Sequence, residues 1–194
     1  MAAHLTKQEL LDALYRPYRK CQECPLGTLG RNKVVFGEGN VDAELFLIGE
    51  APGRREDLEG RPFIGQSGLF LDTALAKVGI ERNSLFITSI VKCRPPNNRV
   101  PLPLEISTCT SLFLYNQIKI IKPRIICALG SVALNTLMSA KLSITKVRGT
   151  PLEYKDGILL IPTYHPAYLL RNRSKLNDSL ADLALIRTYL SKTD

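Results

Sequence analysis

Residues Ala43–Gly53 read AELFLIGEAPG, so that a short apolar run ends abruptly in a polar, glycine-rich turn. Three similar apolar runs follow at Ser84–Val91, Arg124–Leu129 and Gly157–Ile161. Short, nearly continuous apolar strands are typical of a parallel sheet covered on both faces. Helical patterns lie around them at Leu5–Tyr15, Ser67–Lys77, Leu104–Ile121, Ser131–Met138 and Leu176–Leu190. The sequence therefore predicts an α/β fold, a three-layer α/β/α sandwich around a central four-stranded, mainly parallel sheet.

The composition limits the class of protein. The 194 residues are 45% hydrophobic and 23% charged, as expected for a globular chain with a substantial core. A net charge of +8 favours a polyanionic partner such as nucleic acid. The sequence has no run of 18 apolar residues and no signal-peptide core, so we expect a cytoplasmic protein without a membrane partner. Without repeats or linkers, residues 1–194 are expected to form one domain.

Polar and glycine-rich strings follow each predicted strand. They are Gly49–Gly53, Ser89–Pro96, Gly130–Ser131 and His165–Pro166. The carboxyl ends of parallel strands meet at one edge of a sheet, where ligands bind in folds of this kind. Topology alone therefore predicts a functional site at this edge.

The five cysteines suggest a metal centre. Cys21 and Cys24 form a CxxC pair, which in a reduced compartment favours a metal site, although redox pairs share this spacing. Cys93 and Cys109 have 15 residues between them, too many for a second zinc knuckle. Four thiolates from such scattered positions suit a [4Fe–4S] cluster or a Cys₄ zinc site, unless Cys93 and Cys109 are ordinary buried thiols. Cys127 lies inside an apolar run and is assigned to the core.

Four strings give the chain a specific resemblance. GEAPG at 49–53, GRPFIG at 60–65, VKCRPP at 91–96 and HPAYLLR at 165–171 occur in this order. Together they resemble the signatures of the family 4 uracil-DNA glycosylases, and the likeness covers about Cys21 to Arg187. The spacing of four cysteines also resembles the ligand set of that family.

This resemblance implies an activity, a partner and a cofactor. The protein is expected to flip uracil out of DNA and hydrolyse its N-glycosidic bond, leaving an abasic site for base excision repair. The partner would be uracil-containing DNA, single- or double-stranded, and the protein would act as a monomer. The [4Fe–4S] cluster would be held by Cys21, Cys24, Cys93 and Cys109.

The resemblance also assigns catalytic roles. His165 is similar to the family histidine that hydrogen-bonds the anion developing on the departing base. The chain's other histidine is His4. Related families use an aspartate where this chain has Ala51, so a glutamate must orient the attacking water. Glu56 is expected to do this, while Glu50 shapes the pocket.

The remaining pocket residues follow from the same motifs. Phe63 resembles the aromatic platform that stacks on the flipped base. Gly49, Ala51, Asp57 and Ser89 are expected to contact the substrate. Ser89 is a departure, because the family usually has an asparagine here, four residues before the third cysteine. A hydroxyl group offers less than an amide's paired donor and acceptor, so the substitution raises the possibility of another base preference.

Basic and polar residues on the same edge are expected to hold the phosphates of DNA. Arg171, Arg173 and Lys175 follow the histidine motif, and Ser131 opens a helix whose free amides can receive a phosphate. Three more cations lie near the third cysteine, namely Lys92, Arg94 and Arg99. The residues assigned to DNA binding are Lys92, Ser131, Arg171 and Arg173.

Three other functions remain open at this point. A covalent uracil trap or damage sensor would resemble this family, but trapping relatives have glutamine in place of Ala51 and a longer basic loop containing histidine. The short segment Arg94–Pro103 has no histidine. An electron-transfer iron–sulfur protein would leave the pocket motifs without a role. A hypoxanthine or xanthine glycosylase is suggested by Ser89.

Overall fold

The structure, a computed structural model, describes residues 5–192 and has a mixed β-sheet at its centre. The strands within that range are β1 (Glu38–Gly39), β2 (Leu45–Gly49), β3 (Phe86–Ser89), β4 (Ile125–Leu129), β5 (Leu152–Glu153) and β6 (Leu159–Thr163). Their order across the sheet is β1-β3-β2-β4-β6-β5. The inner four strands run parallel, whereas the edge strands β1 and β5 pair antiparallel with β3 and β6.

The sequence correctly predicted an α/β fold, but the number of strands was wrong. Each of the four apolar runs contains one of the inner parallel strands or overlaps most of it. Over residues 5–192 the sheet has six strands, not four. The two missed strands are only two residues long, too short to leave a recognisable hydrophobic period.

Nine α-helices connect and cover the strands in the described part of the chain. They are α1 (Lys7–Tyr15), α2 (Arg54–Glu59), α3 (Gln66–Lys77), α4 (Pro103–Cys109), α5 (Tyr115–Ile121), α6 (Ser131–Met138), α7 (Ile144–Val147), α8 (Pro166–Arg171) and α9 (Leu176–Leu190). None of the helices within residues 5–192 is long and apolar enough to cross a membrane.

Side chains of the inner strands alternate between two hydrophobic cores. In β2, Phe46 and Ile48 belong to the core that also contains apolar residues of α1, α5 and α6. Leu45 and Leu47 belong to the opposite core, with apolar residues of α3 and α9. Helices therefore cover both faces, in the three layers that the buried apolar strands predicted.

The predicted helix Leu104–Ile121 is divided in two. Helix α4 ends at Cys109, and a π-helical turn over Thr110–Leu114 leads into α5. Short π-helical turns within helices are often found at functional sites. They change the direction in which the helix presents its side chains. Here the irregular turn begins directly after one of the four candidate metal ligands.

Candidate active site

A cleft of about 620 Å³ lies at the carboxyl edge of the parallel strands. The loops after β2, β3, β4 and β6 all contribute to its lining, as the topology predicted. Of the predicted site residues, the cleft is lined by Glu50, Ala51, Glu56, Phe63, Ser89, Ser131, His165 and Arg171. The predicted residues that do not line it are Gly49, Asp57, Lys92 and Arg173.

The Phe63 ring forms one wall of the cleft. It packs directly on Gly49, where a Cβ atom would lie only 2.4 Å from Phe63 Cζ. Gly49 therefore acts by leaving room for the ring. The centroid of the ring is 6.0 Å from that of His165, with an angle of 36° between the planes. The side chain is only 7% exposed, so it also packs in the core beneath the cleft.

Glu56 fixes the loop that carries Phe63. Its Oε1 accepts hydrogen bonds from the backbone N–H of Ile64, at 2.9 Å, and of Gly65, at 2.7 Å. Phe63 has a φ of 52°, a left-handed conformation that is uncommon for a bulky residue and needs support from its surroundings. The buried Glu56 carboxylate supplies such support immediately after the strained residue.

Arg82 holds the same loop from the other side. Its guanidinium group donates to the carbonyl oxygens of Pro62, at 2.8 Å, and Phe63, at 3.2 Å. Asp72 and Glu38 in turn form ion pairs with Arg82 at 2.7 and 3.3 Å. This role of Arg82 was not predicted from the sequence, because the residue lies outside every motif and 19 positions from Phe63. Only the tertiary fold brings the two together.

Glu50 lines the cleft with a carboxylate that accepts no hydrogen bond from the described residues. This side chain is half-buried. Burial raises the pKa of Glu50 above its ordinary value. A carboxyl group with a raised pKa is closer to the range in which general bases operate at neutral pH. Ala51 lies beside it in the lining and contributes no functional group.

His165 lies on the loop after β6 and forms the N-cap of α8. The backbone N–H of Ala167 donates to its Nδ1 at 3.1 Å. Burial, with the positive charge of Arg171 as a smaller cause, lowers the pKa of His165 to about 4. The imidazole is thus neutral at pH 7, and because Nδ1 accepts, its proton is assigned to Nε2. His4 lies outside the described residues.

Gly130 permits the close approach of this histidine to the strand edge. A Cβ atom at position 130 would lie 2.9 Å from the Cβ atom of His165, and the glycine has a φ of +90°. Both features disfavour any larger residue here. Ser131, which follows, lines the cleft as the first residue of α6.

Asp57 does not occupy the predicted position in the substrate pocket. It is 1% exposed, and its two carboxylate oxygens accept hydrogen bonds from the backbone and the side-chain amide of Asn32 at 2.9 and 2.5 Å. Both oxygens are thus used to fix the loop around Asn32. Ser89, in contrast, lies at the end of β3 and lines the cleft as predicted.

The predicted cations occupy different environments. Arg171 lines the cleft, while Arg173 lies outside it with its guanidinium carbon 5.1 Å from the centroid of the Phe70 ring. The prediction that Lys92 contacts DNA is wrong, because its side chain is 0% exposed and is enclosed within the protein. A buried ammonium group has no access to a phosphate on DNA bound at the surface.

Four cysteines line a second, smaller cavity next to the irregular turn. Cys21 and Cys24 are half-buried, and Cys93 and Cys109 are buried. The rest of the lining comes from Leu26, Gly27, Thr108, Leu112 and Phe113. Burial raises the pKa values of the Cys93 and Cys109 thiols to about 12. Cys127 is fully buried within β4 and does not line this cavity.

The chain matches a known family over most of its length. The model of the "Uracil DNA glycosylase superfamily" matches residues 36–188. This range includes every described cleft-lining residue and two of the four clustered cysteines. The chain therefore belongs to the uracil-DNA glycosylase superfamily.

Within that superfamily, the chain is similar to proteins named "Type-4 uracil-DNA glycosylase". The protein of Thermotoga maritima is 49% identical over 190 residues, covering 96% of this chain and 98% of the relative. That of Saccharolobus solfataricus is 47% identical, covering 84% and 78%. That of Sulfurisphaera tokodaii is 46% identical, covering 78% and 72%.

The hydrogen bonds of Glu56 lead to a prediction about stability. Glu56→Ala leaves two half-buried N–H groups without their acceptor and should lower the free energy of unfolding by about 1–3 kcal/mol. Glu56→Gln should cost less, because its amide oxygen can still accept from Ile64 and Gly65. Chemical denaturation of the two variants would measure this difference. Equal losses would contradict the proposed role of the acceptor.

Proposed function

We propose that this protein removes uracil from DNA by hydrolysing the N-glycosidic bond, in the first step of base excision repair. The proposal is supported most directly by the arrangement of the cleft, in which a neutral histidine faces an aromatic wall beside a carboxylate without a partner. The names of the type-4 relatives support uracil over hypoxanthine or xanthine as the base. The chain would act as a single-domain monomer on single- or double-stranded DNA.

Phe63 is proposed to stack on the extruded base. A flipped nucleotide loses its stacking within DNA, and an aromatic ring in the pocket replaces part of it. The ring is already fixed on Gly49 and by the hydrogen bonds of its loop, so binding requires little ordering of the pocket. Ser89, at the end of the adjacent strand, would offer its hydroxyl group to the polar edge of the base.

His165 is proposed to stabilise the leaving group. When the glycosidic bond breaks, its electron pair moves to the base, and negative charge gathers on a carbonyl oxygen of uracil. The neutral imidazole can donate its Nε2 proton in a hydrogen bond to that oxygen, because Nδ1 already accepts from Ala167. Such a donor contributes most when the charge exists only in the transition state.

Glu50 is proposed to orient the attacking water, in place of Glu56. The carboxylate of Glu50 has no protein partner in residues 5–192, whereas Oε1 of Glu56 already accepts two backbone hydrogen bonds. A new bond forms between the water oxygen and the sugar carbon as the base departs, and Glu50 takes the proton of the water. The negative charge of Glu50 also offsets positive charge on the sugar.

The DNA backbone is proposed to bind along the rim of the cleft. The residues assigned to it are Ser131, whose backbone amide lies at the start of α6, and the cations Arg171 and Arg173. The net charge of +8 agrees with a polyanionic partner. A covalent trap is disfavoured, because Ala51 replaces the glutamine of the trapping relatives and the segment Arg94–Pro103 contains no histidine.

We also propose that Cys21, Cys24, Cys93 and Cys109 hold a [4Fe–4S] cluster. All four thiols line one cavity whose remaining walls are largely apolar, which suits a cluster shielded from water. In residues 5–192 no three His, Cys, Asp or Glu side chains converge closely enough for a single metal ion. The resemblance of this cysteine spacing to the ligand set of the family 4 enzymes favours a cluster, with one thiolate at each corner, over zinc. When bound, it would cross-link the N-terminal segment to the loop after β3 and to the last residue of α4.

Replacing each of the two glutamates by glutamine tests the role assigned to it. Glu50→Gln should lower the single-turnover rate of uracil excision by about 10²–10⁴-fold, as for the loss of a general base. Glu56→Gln should stay near the parental rate, because its amide can keep the loop in place. The measurement is cleavage of a labelled uracil oligonucleotide under enzyme excess. A lower rate for Glu56→Gln than for Glu50→Gln would instead show that Glu56 orients the attacking water.

Iron analysis tests the cluster. Protein purified without oxygen should be brown and contain about four irons per chain. Cys93→Ala should lose most of this iron, and Cys127→Ala, which removes a thiol outside the cavity, should retain it. Stoichiometric zinc in place of iron would contradict the cluster.

A further inference from the structure

Arg148 and Asp182 form a largely buried ion pair that the proposed reaction does not use. Asp182 lies on α9, and its side chain is 3% exposed. The carboxylate accepts from Arg148 Nε at 3.0 Å and from Arg148 Nη2 at 2.6 Å. The same guanidinium group also donates to the carbonyl oxygen of Asp178, one turn earlier in α9. A planar fork bound at two points to one carboxylate is fixed in direction as well as in distance.

This ion pair holds the end of β6, which leads directly to His165. Thr163 is the last residue of β6, and its hydroxyl group donates to the Asp182 carboxylate at 2.7 Å. The next residue, Tyr164, lines the cleft, and the centroid of its ring lies 5.5 Å from the guanidinium carbon of Arg148. Both residues immediately before His165 are therefore held by the pair, one through its hydroxyl group and the other through its ring.

The same arginine fixes a second wall of the cleft. Arg148 directly follows α7, whose first two residues, Ile144 and Thr145, line the cleft. The residue after it, Gly149, donates its backbone N–H to a carbonyl oxygen of β6 at 2.8 Å. Gly149 has a φ of +67° and leaves no room for a Cβ atom beside the Asp182 carboxylate. The chain thus passes closely between α7 and β6 at the ion pair.

We propose that Arg148, oriented by Asp182, is a positioning residue for His165. The inference rests on the proposed function, in which His165 donates a hydrogen bond to the departing base. Such a donor is effective only when it points at the atom on which charge develops. The bond from Ala167 selects which ring nitrogen carries the proton, but a bond within one loop cannot fix that loop relative to the sheet. The ion pair supplies this fixed reference, because α9 packs against β4 and β6.

The energetics of buried ion pairs favour this role over a purely stabilising one. Removing two charges from water costs about as much as their attraction returns, so apolar residues of similar size would stabilise the fold at least as well. A bidentate pair gives instead a defined orientation, and here the oriented groups are the strand end before His165 and the α7 wall.

Removing the fork should impair the chemical step and leave DNA binding intact. Arg148→Met should lower the single-turnover rate of uracil excision by roughly 10²-fold, as a small misplacement of a catalytic group does. Affinity for DNA that carries a non-hydrolysable uracil nucleotide should stay at the parental value, because Arg148 does not line the cleft. The loss should be smaller for 5-fluorouracil, since its anion is more stable and needs less stabilisation by His165.

A spectroscopic measurement separates positioning from folding. In parent protein labelled with [¹⁵N]histidine, His165 should show one neutral tautomer, with its proton on Nε2. Folded Arg148→Met should show both tautomers, because the released loop no longer keeps Nδ1 opposite the backbone N–H of Ala167. A residue that contributed only to stability would leave this tautomer unchanged in the folded variant.

Arg124→Met is the matched control. Arg124 also pairs with a carboxylate, that of Glu44 at 2.8 Å, and donates to the carbonyl oxygen of Lys192 beyond α9, but it lies at the amino edge of the sheet. It should leave the rates on both bases and the tautomer unchanged. Parental rates and a single tautomer in folded Arg148→Met, or equal losses on the two bases with a single tautomer, would overturn the proposal.

A milder pair of variants gives the same test if Arg148→Met does not fold. Thr163→Val removes only the hydroxyl group that reaches Asp182 and Ser179, whereas Thr163→Ser keeps it. The valine variant should therefore lose rate and tautomer purity, and the serine variant should retain both. The same result for the two would overturn the proposal. Failure of the parent protein to excise uracil would refute the proposed function, while the tautomer would still test the positioning of His165.

Discussion

The backbone N–H of Ala167 donates a hydrogen bond to Nδ1 of His165, and the chemistry of the cleft depends on this bond. It leaves Nε2 as the donor, while burial keeps the ring uncharged at neutral pH. A neutral donor gains little from neutral substrate and much from the anion that forms as the base departs. This hydrogen bond at the N-cap of α8 thus allows His165 to stabilise the transition state more than the ground state.

The wall opposite the histidine depends on longer-range contacts. Phe63 is held in a left-handed conformation, and its loop is fixed by a carboxylate from Glu56 and a guanidinium from Arg82. Gly49 and Gly130 then allow the two rings to lie close to their strand ends. Strain at a functional loop can be maintained only where surrounding contacts over-determine it, and here charged groups from two separate segments do so.

Patterns among neighbouring residues predicted the parallel strands and the position of the cleft. The apolar runs gave the parallel strands, and the turns after them gave the position of the cleft. Whether a side chain faces the cleft or the interior was harder to predict, because this depends on partners that are distant in the chain. Glu56 and Asp57 are adjacent, yet one faces the cleft and the other binds Asn32, 25 residues away. Lys92 was mistaken for a surface cation because the sequence does not reveal its burial.

The protonation of His165 is the most direct test of this account. The chain has two histidines, so a protein labelled with [¹⁵N]histidine gives a simple spectrum, and His4→Ala assigns it. His165 should remain neutral, with its proton on Nε2, from pH 8 down to about pH 5, in line with a pKa of about 4. Titration near the ordinary histidine value of about 6.5, or a proton on Nδ1, would contradict the account.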